Sequence, residues 1–290
     1  MRIRKAVFPV AGLGTRVLPA TKSIPKELLP VIDRPVIQYV VDEAREAGIE
    51  HFVFVTGRGK SAIEDYFDHA YELETQLKAK NKLDILASVE ASRLPAGSSS
   101  FLRQQAPLGL GHAVWCARDV IGNEPFAVLL PDVIVKGKPS GLKQMADAFE
   151  KVGGNIIAVD PVPQDRVSAY GVIAPKSRDG RLISMSGMVE KPPIATAPSN
   201  LAITGRYILQ PEIFGLLAKQ GAGAGGEIQL TDAMDRLMEI QPFYAYEFEG
   251  SVHDCGNKTG YFEAVLAHAL DNPDTAEFAR DLVKQAAAKI

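Results

Sequence analysis

The sequence is poor in cysteine and lacks long runs of apolar or basic residues. Cys116 and Cys255 are the only cysteines in 290 residues, so at most one disulfide can form and a disulfide-rich scaffold is excluded. No stretch of about 20 uncharged apolar residues occurs, which argues against a membrane-spanning helix. The 32 Lys and Arg residues are dispersed and nearly balanced by 35 Asp and Glu residues, so no nucleic-acid partner is expected. These absences favour a protein of the reducing cytoplasm.

What the sequence does contain is a regular alternation of strand-like and helix-like segments. Hydrophobic residues make up 46% of the chain, enough to bury a sizeable core. A helix is predicted over residues 35–47, with Pro35 in its first turn and Gly48 just past its end. The order of strands and helices predicts an α/β fold with a mixed, mostly parallel central sheet flanked by helices. Segments rich in Val, Ile and Phe predict strands at 6–10, 52–56, 126–130, 155–159, 203–209 and 243–249.

We expect residues 1–290 to form a single domain. The apolar stretch after Lys5 runs directly into Gly12, so it is interpreted as the first strand and not as a signal peptide. Residues 257–290 are predicted to be helical and to pack on the body of the protein or on a second subunit. A homo-oligomer is therefore expected, with the C-terminal helices as its candidate contact.

Two glycine motifs resemble nucleotide-binding loops but lack an essential glycine. Gly12 and Gly14 follow the first predicted strand, yet Val17 stands where a dinucleotide fingerprint has its third glycine. The Gly-Lys-Ser at 59–61 ends like a P-loop, but Phe54 replaces the first glycine of that motif. A nicotinamide cofactor is thus disfavoured, and residues 59–61 are predicted to form an ordinary turn between a strand and a helix.

The strongest motif is the segment 12–30, which reads GLGTRVLPATKSIPKELLP. It places a glycine turn after a strand, where bare backbone amides can approach an anion, and follows it with Arg16 and Lys26. Three prolines within it prevent a continuous helix and favour a preorganised loop. The segment therefore predicts a polyphosphate-binding loop at the end of the first strand.

The segment 12–30 resembles the signature loop of the nucleotidyltransferases that make nucleotide-sugars from sugar 1-phosphates. The similarity spans essentially the whole chain, and it is closest to the bacterial branch that transfers a uridylyl group. The resemblance implies a Rossmann-like nucleotidyltransferase fold and the Mg²⁺-assisted conversion of UTP and glucose 1-phosphate to UDP-glucose and pyrophosphate. The further motifs that carry it are 105–113 (QAPLGLGHA), 130–132 (LPD), 189–192 (VEKP), 198–202 (PSNLA), 227–232 (EIQLTD) and 253–258 (HDCGNK).

The resemblance assigns one set of residues to the nucleotide. Arg16 and Lys26 would neutralise charge on the phosphates, and the side chain of Gln105 would read the uracil together with the Gly111 backbone. Arg16, Lys26 and Asp132 are the expected catalytic residues. The complete nucleotide-binding set is Ala11, Gly12, Gly14, Thr15, Arg16, Lys26, Gln105 and Gly111.

A second set is assigned to the sugar phosphate and the metal ion. Glu190 would accept hydrogen bonds from sugar hydroxyls, Lys191 would contact the phosphate, and Gly171 would let the backbone approach the sugar ring. Asp132 ends a buried strand, at the edge of an α/β sheet where ligands bind. A lone Asp there is more often a turn former, but the resemblance makes Asp132 and Asp254 the expected Mg²⁺ ligands.

Three alternatives stay open at this point. The 12–30 motif is shared by enzymes that transfer thymidylyl or guanylyl groups to related sugar phosphates. A noncatalytic sugar-nucleotide sensor would keep the fold but would have no reason to keep Arg16, Lys26, Asp132 and Asp254. A zinc site can also be imagined, although no recognised zinc spacing occurs among its four ligands, His112, Cys116, His253 and Cys255.

Overall fold

The computed structural model describes residues 2–289. The strands are β1 (Lys5–Pro9), β2 (Pro30–Val31), β3 (Arg34–Pro35), β4 (His51–Thr56), β5 (Ser99–Arg103), β6 (Phe126–Leu129), β7 (Val133–Lys136), β8 (Asn155–Pro161), β9 (Gly171–Asp179), β10 (Leu182–Glu190), β11 (Leu201–Leu209), β12 (Phe243–Glu247) and β13 (Ser251–Asp254). The helices are α1 (Val36–Glu46), α2 (Ser61–Phe67), α3 (Tyr71–Ala79), α4 (Leu83–Ser92), α5 (Leu110–Cys116), α6 (Arg118–Ile121), α7 (Gly141–Val152), α8 (Ile213–Leu217), α9 (Leu230–Met238), α10 (Lys258–Ala269) and α11 (Ala276–Ala287).

A nine-stranded sheet forms the centre of the molecule, in the order β5-β4-β1-β6-β11-β8-β12-β10-β9. Strand β11 is antiparallel to both of its neighbours, and β10 likewise to both of its own, while the remaining neighbours pair in parallel. Seven of the nine strands therefore run in one direction. The predicted fold class, a mixed and mostly parallel sheet flanked by helices, is confirmed.

Side chains on the two faces of the sheet enter two separate cores. In β1, Val7 packs on the face covered by α5, α8 and α9, whereas Phe8 packs on the face covered by α1 and α7. This alternation follows from the two-residue repeat of a strand, and burial on both faces explains why the strand segments are almost continuously apolar. The sheet is thus covered by helices on both sides.

The six strands predicted from apolar segments are all present, with bounds that shift by at most two residues. The predicted helix at 35–47 corresponds to α1, which begins after the extended Pro35 and is followed by Gly48 with a φ of 87°. The C-terminal segment forms the predicted helices, α10 and α11. Within residues 2–289, no helix combines the length and the apolar character needed to cross a membrane.

The hairpin of β9 and β10 was not predicted from the sequence. The second half of β9 is exposed and carries polar residues, because the strand extends beyond the core as the sheet edge. These exposed residues therefore give no apolar run, which is the signal that identifies a buried strand. The two-stranded pairing of β7 with β13 was also missed, and it carries one of the predicted metal ligands, Asp254, at its end.

Candidate active site

Two adjoining cavities open at the edge of the sheet where β1 and β6 end. The larger, of about 670 Å³, extends towards β9, β10 and β11, and the smaller, of about 500 Å³, lies against the loop that follows β1. Both cavities are lined by Arg16, Leu110, Leu130 and Asp132. The molecule therefore offers space for two ligands that meet at a charged junction.

The loop after β1 lines the smaller cavity through Ala11, Gly12 and Thr15. It contains three short 3₁₀ turns rather than one helix, as its prolines predicted. Gly14 shapes the loop without lining the cavity: its φ is 68°, and its carbonyl accepts a 2.7 Å hydrogen bond from the Thr21 hydroxyl. The backbone conformation at Gly14 is one that L side chains rarely adopt, so glycine is required there.

Lys26 and Asp132 form an ion pair at the junction of the cavities. The distance from Lys26 Nζ to Asp132 Oδ2 is 2.5 Å, and both side chains are largely buried. Burial alone would lower the pKa of Lys26, but the carboxylates of Asp132 and Glu27 outweigh it and hold that pKa above its ordinary value. Burial would likewise raise the pKa of Asp132, but the Lys26 ammonium outweighs it and the pKa lies below its ordinary value. Both groups are therefore charged at neutral pH.

Arg16 connects the two predicted metal ligands. Its guanidinium lies 3.9 Å from Asp132 Oδ2 and 3.6 Å from Asp254 Oδ2, and its side chain is otherwise exposed to the cavities. Asp254 is held by the residues that follow it, because its carboxylate accepts hydrogen bonds of 2.9 Å from the Gly256 amide and the Asn257 side chain. Four residues from the 12–30 motif, the end of β6 and the end of β13 thus meet at one point.

The close approach of these carboxylates depends on Gly256. A Cβ at this position would lie 2.5 Å from Asp132 Oδ2 and 2.8 Å from Asp254 Oδ1, so any side chain would displace one of them. Two convergent carboxylates are a donor set that suits Mg²⁺, which usually takes one or two carboxylates and fills its remaining positions with phosphate oxygens and water. Residues 2–289 contain no group of three or more His, Cys, Asp and Glu side chains placed to hold a metal ion. The imagined zinc site is therefore not supported.

The predicted sugar-phosphate residues line the far side of the larger cavity. Glu190 Oε2 accepts a 2.8 Å hydrogen bond from the hydroxyl of Thr231, a residue of α9 within the 227–232 motif to which the sequence analysis gave no role. A Cβ on Gly171 would lie 3.0 Å from the same oxygen, so glycine leaves room for this carboxylate. Lys191 adopts a φ of 48°, donates its amide to the Tyr170 carbonyl, and leaves its ammonium largely exposed.

Neither of the two residues expected to read the uracil, Gln105 and Gly111, lines one of the cavities. Gln105 is exposed and does not line either cavity, and the Gly111 amide donates a 2.8 Å hydrogen bond to the Ile228 carbonyl. The adjacent Gln104 is buried and lines the smaller cavity together with Gly109, whose carbonyl accepts from the Gln104 amide at 3.1 Å. Gln104 lines the cavity and Gln105 does not because the pairing with β4 continues through Gln104, whose backbone amide donates to the Thr56 carbonyl.

A buried ion pair beneath the 12–30 loop was also missed. Lys60 Nζ lies 2.7 Å from Glu27 Oε2, and both side chains are almost completely buried. Residues 59–61 do form the expected turn between β4 and α2, but Lys60 points back into the loop and anchors the residue next to Lys26. Lys26 and Glu27 are neighbours in the motif, and the sequence does not indicate that Lys26 pairs with Asp132 while Glu27 pairs with Lys60.

The fold and the charged junction of the two cavities are those of a known family of proteins. The family model described as nucleotidyl transferase matches residues 5–269, and the chain belongs to that family. Among curated relatives, the UTP–glucose-1-phosphate uridylyltransferase of Bacillus subtilis (strain 168) is 52% identical over 274 residues, covering 94% of this chain and 93% of the relative. The enzyme of the same name from Komagataeibacter xylinus is 50% identical over 256 residues, covering 88% and 90% of the two chains.

Solved structures show the same similarity in three dimensions. A UDP-glucose pyrophosphorylase from Acinetobacter baumannii in its UTP-bound form superposes with a TM-score of 0.90 at 46% identity, covering 97% of this chain and 98% of that one. A UDP-glucose pyrophosphorylase complexed with UDP-glucose gives a TM-score of 0.84 at 43% identity, covering 93% and 100%. The fold expected from the motif resemblance is therefore confirmed over nearly the whole chain.

The Glu27–Lys60 pair gives a stability prediction. Lys60→Met should leave a buried carboxylate without its partner and lower the free energy of unfolding by about 3–5 kcal/mol, because breaking a buried pair from one side strands the other charge. The double variant Glu27→Gln with Lys60→Met should recover most of that loss. Urea unfolding followed by circular dichroism would measure both.

Lys22→Met is the matched control, because Lys22 lies on the same loop but is exposed. It should change the free energy of unfolding by no more than about 0.5 kcal/mol. Equal effects of Lys60→Met and Lys22→Met would show that the buried pair does not anchor the loop.

Proposed function

We propose that this protein transfers a uridylyl group from UTP to glucose 1-phosphate, giving UDP-glucose and pyrophosphate. The observation that carries the proposal is the pair of cavities that meet at Arg16 and Asp132, with Lys26 paired to Asp132. One cavity has a glycine loop suited to phosphates, and the other has a carboxylate and an ammonium suited to a sugar phosphate. Relatives that carry the name of this activity match almost the whole chain.

The reaction needs no covalent intermediate with the protein. A phosphate oxygen of glucose 1-phosphate is already a nucleophile, so the protein has to hold it in line with the α-phosphorus of UTP and offset the developing negative charge. Arg16 and Lys26 supply fixed positive charge at the point where the cavities join. Mg²⁺ held by Asp132 and Asp254 would add further charge neutralisation on the phosphates.

Substrate selection is assigned to the two ends of the site. In the larger cavity, Glu190 accepts hydrogen bonds from sugar hydroxyls while Thr231 fixes its orientation, and Lys191 pairs with the sugar phosphate. In the smaller cavity, Gln104 takes the role first expected for Gln105, with the adjacent Gly109 backbone forming the other side of the base pocket. Ala11, Gly12 and Thr15 lie where the nucleotide phosphates approach the loop.

We also propose that the protein acts as a homo-oligomer through its C-terminal helices. In α11, Ala279 is buried, whereas Phe278 is 72% exposed and Leu282 is 54% exposed one helical turn away. Glu277 precedes and Lys284 follows this apolar stripe, so two copies packed antiparallel would place opposite charges together. A second copy of the same helix therefore satisfies both the apolar and the charged positions.

We place the protein in the cytoplasm as a single functional domain. Cys116 and Cys255 are free thiols, and Cys255 is buried beside two carboxylates; burial above all raises the pKa of its thiol to about 12. Such a thiol is inert towards exchange, which suits a structural role in a reducing compartment. UDP-glucose is an activated donor, so a glycosyl-transfer reaction of polysaccharide synthesis would consume the product.

A matrix of substrates tests the proposed reaction. The protein is incubated with UTP, dTTP, GTP or ATP, with each of several sugar 1-phosphates, and with or without Mg²⁺, while pyrophosphate release is measured. We expect the highest kcat/KM for UTP with glucose 1-phosphate and a strong dependence on Mg²⁺. A preference for dTTP or GTP would support the related transferases, and binding without pyrophosphate release would support the sensor.

Gln104 and Gln105 form a matched pair for testing base recognition. Gln104→Ala should raise the KM for UTP by about tenfold and weaken the preference for UTP over other nucleotides, because base groups lose a buried partner. Gln105→Ala should leave both quantities within about twofold of wild type, because exposed substitutions are usually near neutral. Steady-state kinetics measure both quantities. The reverse pattern would show that Gln105, and not Gln104, recognises the uracil.

The two carboxylates at the junction are expected to act as one metal site. Asp132→Asn and Asp254→Asn should each lower kcat by about a hundredfold and raise the Mg²⁺ concentration needed for half activity. The double variant should cost much less free energy than the sum of the two, because neighbouring residues that share a ligand are not additive. Magnesium titrations of the rate measure both effects.

Asp160→Asn is the control for that double-mutant cycle. Asp160 lines the larger cavity away from the junction, so its loss should leave the magnesium requirement unchanged. Additive effects of Asp132→Asn and Asp254→Asn, with the wild-type magnesium requirement, would show that the two residues do not share a metal ion.

The oligomer proposal predicts the outcome of one surface substitution. Leu282→Glu should shift the protein to monomers in sedimentation velocity, because it places a charge in the apolar stripe of α11. Leu73→Glu, at an exposed leucine of α3, should leave the oligomeric state unchanged. A wild-type protein that sediments as a monomer at micromolar concentration would contradict the proposal.

A further inference from the structure

Arg206 is a fully buried arginine in the middle of β11, on the sheet face covered by α1 and α7. Its neighbours on that face are aliphatic and aromatic side chains, including Ile208 of the same strand. A buried ion pair is not by itself a source of stability, because an apolar replacement of similar size is often neutral or stabilising. The contacts of Arg206 therefore call for an explanation other than stability.

All five N–H groups of Arg206 donate hydrogen bonds within the fold. Nε and Nη2 donate to Glu43 Oε2 of α1 at 3.1 and 2.8 Å. Nη1 donates to the carbonyls of Leu130 and Gly205 at 3.2 and 3.3 Å, and Nη2 donates to the carbonyl of Val133 at 2.6 Å. The guanidinium is thereby locked in one orientation, since an arginine has five donors and all of them are used.

Two of these acceptors flank the residue on which the metal site depends. Leu130 and Val133 stand immediately on either side of Pro131 and Asp132, so Arg206 holds both ends of the short segment that presents the Asp132 carboxylate. The carbonyl of Asp132 itself, which lies between these two acceptors, accepts a 2.8 Å hydrogen bond from the Cys255 amide. Three carbonyls of the segment, those of Leu130, Asp132 and Val133, therefore accept hydrogen bonds from outside it.

Glu43 extends this connection to a second helix. While its Oε2 accepts both bonds from Arg206, its Oε1 accepts the Leu142 amide in the first turn of α7 at 2.9 Å. Glu43 is itself almost completely buried, so its charge is compensated by Arg206 rather than by water. The pair thus ties α1, α7 and β11 to the segment that carries Asp132.

We propose that Arg206, oriented by Glu43, is a positioning residue that sets the place of the Asp132 carboxylate for the metal ion and the nucleotide phosphates. The inference rests on the function proposed above, because it is the chemistry at Asp132 that requires a fixed carboxylate. Arg206 touches no substrate, and it acts through the carbonyls of Leu130 and Val133. The geometry required at a reacting centre is narrow, and a displacement of 1 Å can cost about a hundredfold in rate.

Arg206→Lys is the principal test. Lysine keeps the positive charge but offers three donors from a single atom, so it cannot reach both carbonyls and Glu43 in the same arrangement. We expect a folded protein with a magnesium requirement raised by about tenfold, a lower kcat, and a KM for glucose 1-phosphate within twofold of wild type. Binding of Mn²⁺ in the presence of UTP, followed by electron paramagnetic resonance, should weaken by a similar factor.

Phe149→Leu is the matched control, because Phe149 is buried in the same core but lies on α7 away from Asp132. It should lower the melting temperature without moving the magnesium requirement or Mn²⁺ binding. The proposal is overturned if Arg206→Lys and Phe149→Leu behave alike in these two readouts. If Arg206→Lys does not fold, Glu43→Gln, which keeps the side-chain shape and the acceptor for Leu142, carries the same test.

Failure of Glu43→Gln to fold as well would make the pair purely structural and would also overturn the proposal. A wild-type protein that releases no pyrophosphate from any substrate pair would instead refute the proposed function. An active wild-type protein whose Arg206 and Glu43 variants keep the wild-type magnesium requirement would refute only the positioning role.

Discussion

The geometry of the candidate active site depends on bringing like charges together. Asp132 and Asp254 lie close enough that a single methyl group on Gly256 would collide with both carboxylates. Two carboxylates at such a distance repel each other, and burial increases the cost because water cannot screen them. Lys26 and Arg16 compensate for this repulsion in the structure. The 12–30 loop therefore supplies cations to the acids, and in the proposed reaction the same cations would also face the phosphates.

The surrounding structure fixes each of these charges by a buried contact. Lys26 lies next to Glu27, which anchors the 12–30 loop to Lys60, and Asp132 lies in the segment that Arg206 holds. Each anchor comes from an element that lies elsewhere in the chain, so the site forms only when the sheet and its helices are assembled. Such an arrangement keeps the charged groups in place before a ligand arrives, which is the condition for electrostatic stabilisation of a transition state.

Much of the fold could be predicted because buried strands leave a clear mark on the sequence. Segments such as 52–56 and 126–130 are apolar on both faces, and Pro35 and Gly48 bracket α1. Local pattern carries no information about partners distant in the chain. Lys60 was interpreted as part of an ordinary turn and Arg206 was not singled out, because their burial is decided by Glu27 and Glu43, which lie 33 and 163 residues away. Gln104 and Gln105 are chemically identical, so only the continued pairing with β4 distinguishes them.

The irregularity in β11 has a consequence for how the chain tolerates changes of length. The register of β11 against β8 shifts between Ile203 and Tyr207, and Gly205 within that stretch has a φ of 76°. Because side chains alternate between the faces of a strand, removing one residue there would turn Arg206 into the opposite core and bring Tyr207 towards Glu43. The tip of the β9–β10 hairpin, at Asp179 and Gly180, packs in neither core, so an insertion between these two residues leaves the alternation of β11 unchanged. A one-residue insertion should therefore be compatible with folding at that tip and should prevent folding at the β11 bulge, two places that lie only about 25 residues apart in the chain.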